Sequence, residues 1–262
     1  MNKNTPFSMS SNSFTLFKYA LTLIPIGLLV ACAPQRLMLP EDLTAKTQAM
    51  PVTMKKFWYF FDIQRIHFGP FLAFEFHQGW TKGDDLSINA GSAGFSSNEK
   101  KQGYSFKLKE AEGPTWKCDC QARAKRQAVE AKLLGGNLSI PLKATVTLNC
   151  SIQETEKGAL WNLKLTKDAT ESEIFSGDLS GGNKTIKVES SDKVEGGKFN
   201  TGKTVGYIFS EGEKVIGAVE TSNKSNVWLG SEVGPELRSP LAAVASALLG
   251  YQDLLEQIES EK

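Results

Sequence analysis

The chain has 262 residues, of which 40% are hydrophobic and 23% charged, the profile of a globular protein and neither a disordered nor a fibrous one. Its 30 basic and 29 acidic side chains nearly cancel, which removes the sequence-independent attraction to phosphate on which nucleic-acid binding rests and argues against nucleic acid as a partner. The local run Arg123, Lys125, Arg126 reads as a solvated face without a role of its own.

Residues 1–18 are polar and carry only Lys3 and Lys18 as charges, and an apolar run extends from Tyr19 to Val30. That order, basic and then apolar, is the order of a secretory signal. Twelve residues from Tyr19 to Val30 would cover roughly 18 Å as a helix, short of a hydrocarbon core about 30 Å thick, and Pro25 and Gly27 weaken the helix further. At the end of the run stands Leu29-Val30-Ala31-Cys32. This tetrad resembles the lipobox of the bacterial lipoprotein class, in which small residues admit the backbone to the peptidase and the thiol receives diacylglycerol. The resemblance covers the first 32 residues and implies a signal peptide over 1–31, lipidation of Cys32, and attachment to a membrane by several acyl chains, palmitate among them, far firmer than a single chain gives. Ala33 stands where an aspartate would retain such a protein at the inner membrane, so the resemblance implies the outer membrane and a body facing the periplasm. An ordinary signal peptide cut after Ala31 or Ala33 would reach the same compartment. Without the leader, 28 basic and 29 acidic side chains remain, a net charge of −1.

Residues 32–50 mix prolines with polar residues and show no sustained period, as suits a lipidated tether. From Pro51 to about residue 230, segments of period 2 alternate with Gly, Asn, Ser and Asp clusters, which predicts antiparallel strands joined by turns. The expected strands are Thr53 to Ile63, Phe71 to His77, Leu86 to Asn89, Tyr104 to Lys109, Trp116 to Ala122, Leu142 to Ile152, Leu160 to Lys167, Thr185 to Glu189, Val205 to Phe209, Lys214 to Glu220 and Asn226 to Leu229. Arg123 to Leu134 is rich in Ala, Lys and Arg, and either a short helix or a long hairpin arm satisfies it. Gly181-Gly182 and Gly196-Gly197 fit turns that need positive φ. At Ser239-Pro240 the pattern changes, with a cap, a pre-organised first residue and an apolar stripe through Leu241, Val244, Leu248, Tyr251, Leu255 and Ile258. A helix over about 240–258 is expected to close over the sheet. The fold class is therefore mainly β, an antiparallel sandwich or partly closed barrel with a C-terminal helix, in a single domain over 51–262.

Export to an oxidising envelope makes Cys118, Cys120 and Cys150 disulfide candidates, with either Cys118 or Cys120 able to reach Cys150 on the inward face of its strand. A three-thiolate metal site or a Cys-x-Cys redox pair is the sharper alternative, but His67 and His77 are the chain's two histidines and both lie far from the cysteines in sequence. The aromatic stretch from Phe57 to Trp80 reads first as core and second as the wall of an apolar pocket. Gly197 to Thr204 (GKFNTGKT) matches the phosphate-loop pattern but lacks its context, because the upstream residues are polar and Val205 to Phe209 alternates like a strand rather than opening a helix. No metal, nucleotide or other cofactor is expected, and no catalytic constellation is visible. The expected function is non-enzymatic binding or scaffolding at the cell envelope, with the membrane (through the lipid on Cys32) and other envelope proteins as partners. A carrier of an apolar ligand with a lipocalin-like layout is the alternative, and an envelope hydrolase using His67 or His77 is a third reading.

Overall fold

The computed structural model describes residues 36–56, 63–90, 93–133, 136–170, 172, 174–196, 202–222 and 224–251. The strands are β1 Met50–Pro51, β2 Thr53–Lys56, β3 Ile63–Phe68, β4 Phe71–Gln78, β5 Lys82–Ala90, β6 Ala93–Glu110, β7 Thr115–Leu133, β8 Gly136–Glu154, β9 Leu160–Asp168, β10 Ser176–Gly181, β11 Lys184–Ser191, β12 Gly206–Glu211, β13 Lys214–Glu220 and β14 Asn226–Leu229. Among the described residues two helices accompany them, α1 Glu41–Lys46 and α2 Pro235–Gly250. All pairings are antiparallel, and the order around the sheet is β1-β14-β13-β12-β11-β10-β9-β8-β7-β6-β4-β3-β2, with β5 on β6 beside that path. The ends of the path are one piece of chain. Met50 and Pro51 pair with β14, Thr53 to Lys56 pair with β3, and the Val52 amide between them donates to the Ser225 carbonyl at 3.0 Å. The result is the expected mainly β architecture, in the form of a nearly closed antiparallel barrel.

The alternation of side chains explains which face is dry. Tyr104, Cys120, Cys150, Leu163, Leu179 and Ile186 form one inward row across β6 to β11, and all six are buried. The neighbouring outward row, Gln121, Asn149 and Lys164, is polar. A membrane-spanning barrel has the opposite arrangement, apolar outside and polar within. Among the described residues no helix is long and apolar enough to cross a membrane.

Strand β10, Ser-Gly-Asp-Leu-Ser-Gly, is not among the expected strands, because Leu179 is its one apolar side chain. Its glycines serve close approach: a Cβ on Gly181 would stand 2.3 Å from the Trp161 ring packed over it. The ambiguous stretch from Arg123 to Leu134 is a hairpin arm, since β7 runs on to Leu133.

The C-terminal helix differs from expectation in extent and in setting. It starts at Pro235, which takes the N-terminal proline position, while Pro240 lies inside it. Proline there forgoes the bond to the Glu236 carbonyl four residues back and crowds it, near the start of the helix where the disruption reaches the fewest turns. Every residue from Ser239 to Leu249 is buried, so α2 is covered on all sides rather than along one stripe. It occupies the barrel's interior. Ser239 Oγ lies 3.1 Å from Glu110 Oε2 near one rim, and near the other the Tyr104 hydroxyl donates to the Ala247 carbonyl at 2.8 Å. The expected continuation through Leu255 and Ile258 lies outside the described residues.

Strands β6, β7 and β8 are 18, 19 and 19 residues long, about twice the length of their neighbours. Beyond the rim β6 exchanges β4 for β5, and β8 leaves β9 at Thr145. A four-stranded arm, β5-β6-β7-β8, thus extends past the barrel by about ten residues, roughly 30 Å. Because every pairing is antiparallel, β7, β9, β11 and β13 run toward the arm and β8, β10, β12 and β14 run away from it.

Candidate functional site

The expected signal peptide and Cys32, the expected lipidation residue, lie outside the described residues. The stretch 32–50, expected as a tether, carries structure from its fifth residue onward: Leu37 is buried, bridges Val194, and packs with Leu43 of α1, Val205 and Ala218. Three hydrogen bonds hold the segment, two of them backbone to backbone. The Leu37 amide donates to Glu220 Oε1 at 2.9 Å, the Met38 amide to the Lys193 carbonyl at 3.0 Å, and the Glu195 amide to the Arg36 carbonyl at 2.9 Å. Glu220 is 1% exposed, and its second oxygen accepts from Asn226 Nδ2 at 2.9 Å. The seat also needs Gly206, where a Cβ would fall 2.4 Å from the Val219 carbonyl oxygen and 2.8 Å from Leu37 Cδ2. Val194 lies just past the end of β11, which runs toward the arm, so the chain enters the body at the arm end.

The three cysteines come close together and divide. Cys120 and Cys150 stand opposite each other on β7 and β8, 4.0 Å apart at Cα, and form a disulfide. Cys118, two residues earlier on the same inward face, pairs with Ile152 and stays a free, buried thiol. Burial, with a smaller contribution from Asp119, pushes that thiol above its ordinary range, which suits a small core side chain rather than a nucleophile. Among the described residues no three His, Cys, Asp or Glu side chains are placed to hold a metal ion.

His67 and His77 are both exposed and are not brought together: His67 pairs with Leu72 on β4, and His77 lies five residues further along that strand, opposite Ser105. Of the aromatic stretch, Phe68 and Phe71 are buried in the core, Phe76 stacks on Phe106 at 4.9 Å between centroids, and Trp80 is 90% exposed. Phe60 and Phe61 lie outside the described residues. Where Phe76 meets Ile63, Gln78, Tyr104 and Gly250 at the end of α2, a cavity of about 40 Å³ remains, room for a few waters. The phosphate-loop match leads into strand β12 rather than a helix.

Comparison with family models, with curated proteins and with solved structures finds no match. The site therefore stands on its own geometry: a clamped N-terminal segment, a filled barrel, and an arm projecting from the same end.

The arm has two different faces, and residue identity alone misses this because it depends on register. Ile88, Phe95, Val129 and Ile140 form one transverse row, and Ala90, Ala93, Ala131 and Leu138 form the row nearer the tip. Toward the barrel the rows turn polar on the same face: Leu86, Ser97, Gln127 and Lys143, then Asp84, Glu99, Lys125 and Thr145, then Lys82, Lys101, Arg123 and Thr147. Glu99 takes Arg123 and Lys101, each at 2.6 Å. Their hydrogen bonds push its carboxyl down to about 2. On the opposite face Glu130 Oε1 accepts from Ser96 at 3.0 Å and from Ser139 at 2.8 Å, a polar ladder across three strands.

Proposed function

We propose that this protein is a lipoprotein held by acyl chains on Cys32 at the outer membrane, facing the periplasm, where its barrel acts in non-enzymatic binding or scaffolding. The observation that carries this reading is the buried clamp at Leu37. The chain enters the folded body at Arg36, four residues after the lipobox thiol, a distance of at most about 14 Å when fully extended. A lipobox set so close to a folded body suits a module meant to stay against a bilayer. The disulfide in the barrel wall fits an oxidising compartment. Binding is assigned to the outer surface because α2 takes up the interior that a carrier would need.

Cells fed labelled palmitate are expected to mark the protein, and Cys32→Ser is expected to abolish both label and membrane attachment. An unmarked protein, or attachment that survives the substitution, overturns the anchor. Crosslinking in intact envelopes is expected to recover a specific partner protein. Recovery of nothing above background counts against scaffolding, and lipid carried through native mass spectrometry would replace it with the carrier reading.

A further inference from the structure

The geometry points to the outward face of the β5–β8 arm as a second membrane contact, one that lays its apolar rows into the interfacial layer of a bilayer containing anionic lipid. Leu86, Ile88, Leu138 and Ile140 are 56%, 58%, 46% and 48% exposed, although their register gathers them on one face of one sheet. Isolated exposed apolar side chains are ordinary, but a contiguous patch of them with a polar border marks a contact surface. The two apolar rows cover about three residues of each strand, with Leu86 extending them on β5 alone, roughly 7–10 Å. That is too short for a membrane-spanning strand of about 9–11 residues, and it suits the depth of about 5–10 Å at which amphipathic elements lie in the interface.

Charge selects the occupant. Across residues 82–101 and 123–145 there are eight basic side chains and four acidic ones. The chain as a whole has a net charge of +1, so positive charge is concentrated on the arm. On the apolar face itself Arg123, Lys125 and Lys143 stand one to three rows behind Ile88 and Ile140, around an open groove of about 360 Å³ with Gln127, Thr145 and Thr147. Basic side chains at this level meet phosphate headgroups when the apolar rows are inserted, each worth about fivefold in binding to an anionic surface. A second copy of the chain would set the same positive face against itself. The arm projects from the end of the barrel at which Arg36 emerges, so an anchor on Cys32 and the arm would address one membrane. The inference adds to the anchor without depending on it.

The test places a tryptophan on the arm of the full chain, Ile88→Trp and separately Ile140→Trp, with Asn149→Trp on the barrel wall as control, and each is read as the difference from the unsubstituted chain, whose five tryptophans supply the common background. Each protein is mixed with vesicles of phosphatidylcholine, or of phosphatidylcholine with phosphatidylglycerol, whose acyl chains carry bromine as a quencher. An intact Cys120–Cys150 disulfide by mass spectrometry certifies the fold, and because all variants share one N-terminus, differences among them report the arm. Blue-shifted, quenched emission is expected for both arm positions with anionic lipid and not for the control. Lys125→Gln with Lys143→Gln is expected to raise the lipid needed for half-maximal quenching by about twenty-five-fold. Equal quenching at all three positions, or none, overturns the inference. So does a blue shift without lipid that grows with protein concentration, which would assign the face to a second copy. Quenching without palmitate on Cys32 would remove the anchor alone; palmitate without quenching would remove the arm contact alone.

Discussion

Reducing the Cys120–Cys150 bond tests whether the register of the long strands is fixed. The bond closes a loop of 30 residues, nearly all of them the β7–β8 hairpin that carries half of the arm. In the chain-entropy treatment such a loop stabilises the native state by about 3.6 kcal/mol at 25 °C. For a domain of this size that corresponds to a fall in melting temperature of about 10 °C on reduction. The measurement is urea and thermal unfolding followed by tryptophan fluorescence, with and without reductant, on wild type and on Cys120→Ala. In that variant Cys118 is not expected to take over. It lies diagonally from Cys150 across the strand pair, at about 7–8 Å between Cα atoms, beyond the reach of a disulfide without backbone movement. The free thiol of Cys118 should also resist alkylation until the barrel unfolds. Reduced and oxidised proteins with the same midpoint, or a Cys118–Cys150 bond in Cys120→Ala by mass spectrometry, would refute the fixed register.

The seat, the helix and the arm each carry a further expected outcome. Gly206→Ala is expected to displace Leu37, cost about 1–3 kcal/mol, and expose the chain at Arg36 and Lys46 to trypsin; unchanged cleavage would show that the seat does not depend on that glycine. Tyr104→Phe removes the bond from its hydroxyl to the Ala247 carbonyl and is expected to cost about 0.5–1.5 kcal/mol in urea unfolding, with the barrel retained by circular dichroism. Glu99 is held near 2, below its ordinary 4.5, so its bonds to Arg123 and Lys101 stabilise the arm above pH 4.5 and are lost as pH falls toward 2. Glu99→Gln should therefore be less stable than wild type at neutral pH and indistinguishable from it by pH 2, and a gap that persists in acid would contradict the pairing.

The barrel wall is legible in the sequence wherever one face is wet and the other dry. The segment from Leu142 to Ile152 alternates without a break because its inward residues line the core and its outward residues meet water. Where that contrast fails, so does the reading. β10 shows a single leucine because glycines let Trp161 lie flat against it, and composition registers those glycines as a turn. The seat of the N-terminal segment is a single buried Leu37, too short for any periodicity, and its partner Glu220 is 183 residues away. The apolar stripe of α2 is visible in the sequence, but whether its remaining faces are wet depends on a barrel around it. Arg123 to Leu134 is ambiguous for a related reason: an alanine-rich, two-faced strand has helical composition, and only pairing with β6 and β8 decides it. The choice of Cys120 over Cys118 likewise rests on register.

A buried helix constrains function as strongly as a pocket would. Leu241, Val244, Leu248 and Leu249 all face the barrel's interior wall with exposures of 9% or less, and at about 1.5–3 kcal/mol each they contribute roughly 6–12 kcal/mol of burial. A ligand entering the lumen would first have to displace them, a cost comparable to the whole binding energy of a micromolar to nanomolar complex, about 8–12 kcal/mol. The cavity left beside Tyr104, about 40 Å³, is an order of magnitude smaller than a pocket of roughly 300–1,000 Å³. The filled interior thus favours the proposed binding at outer surfaces over the carrier reading, and the two-faced arm is the first of those surfaces to test.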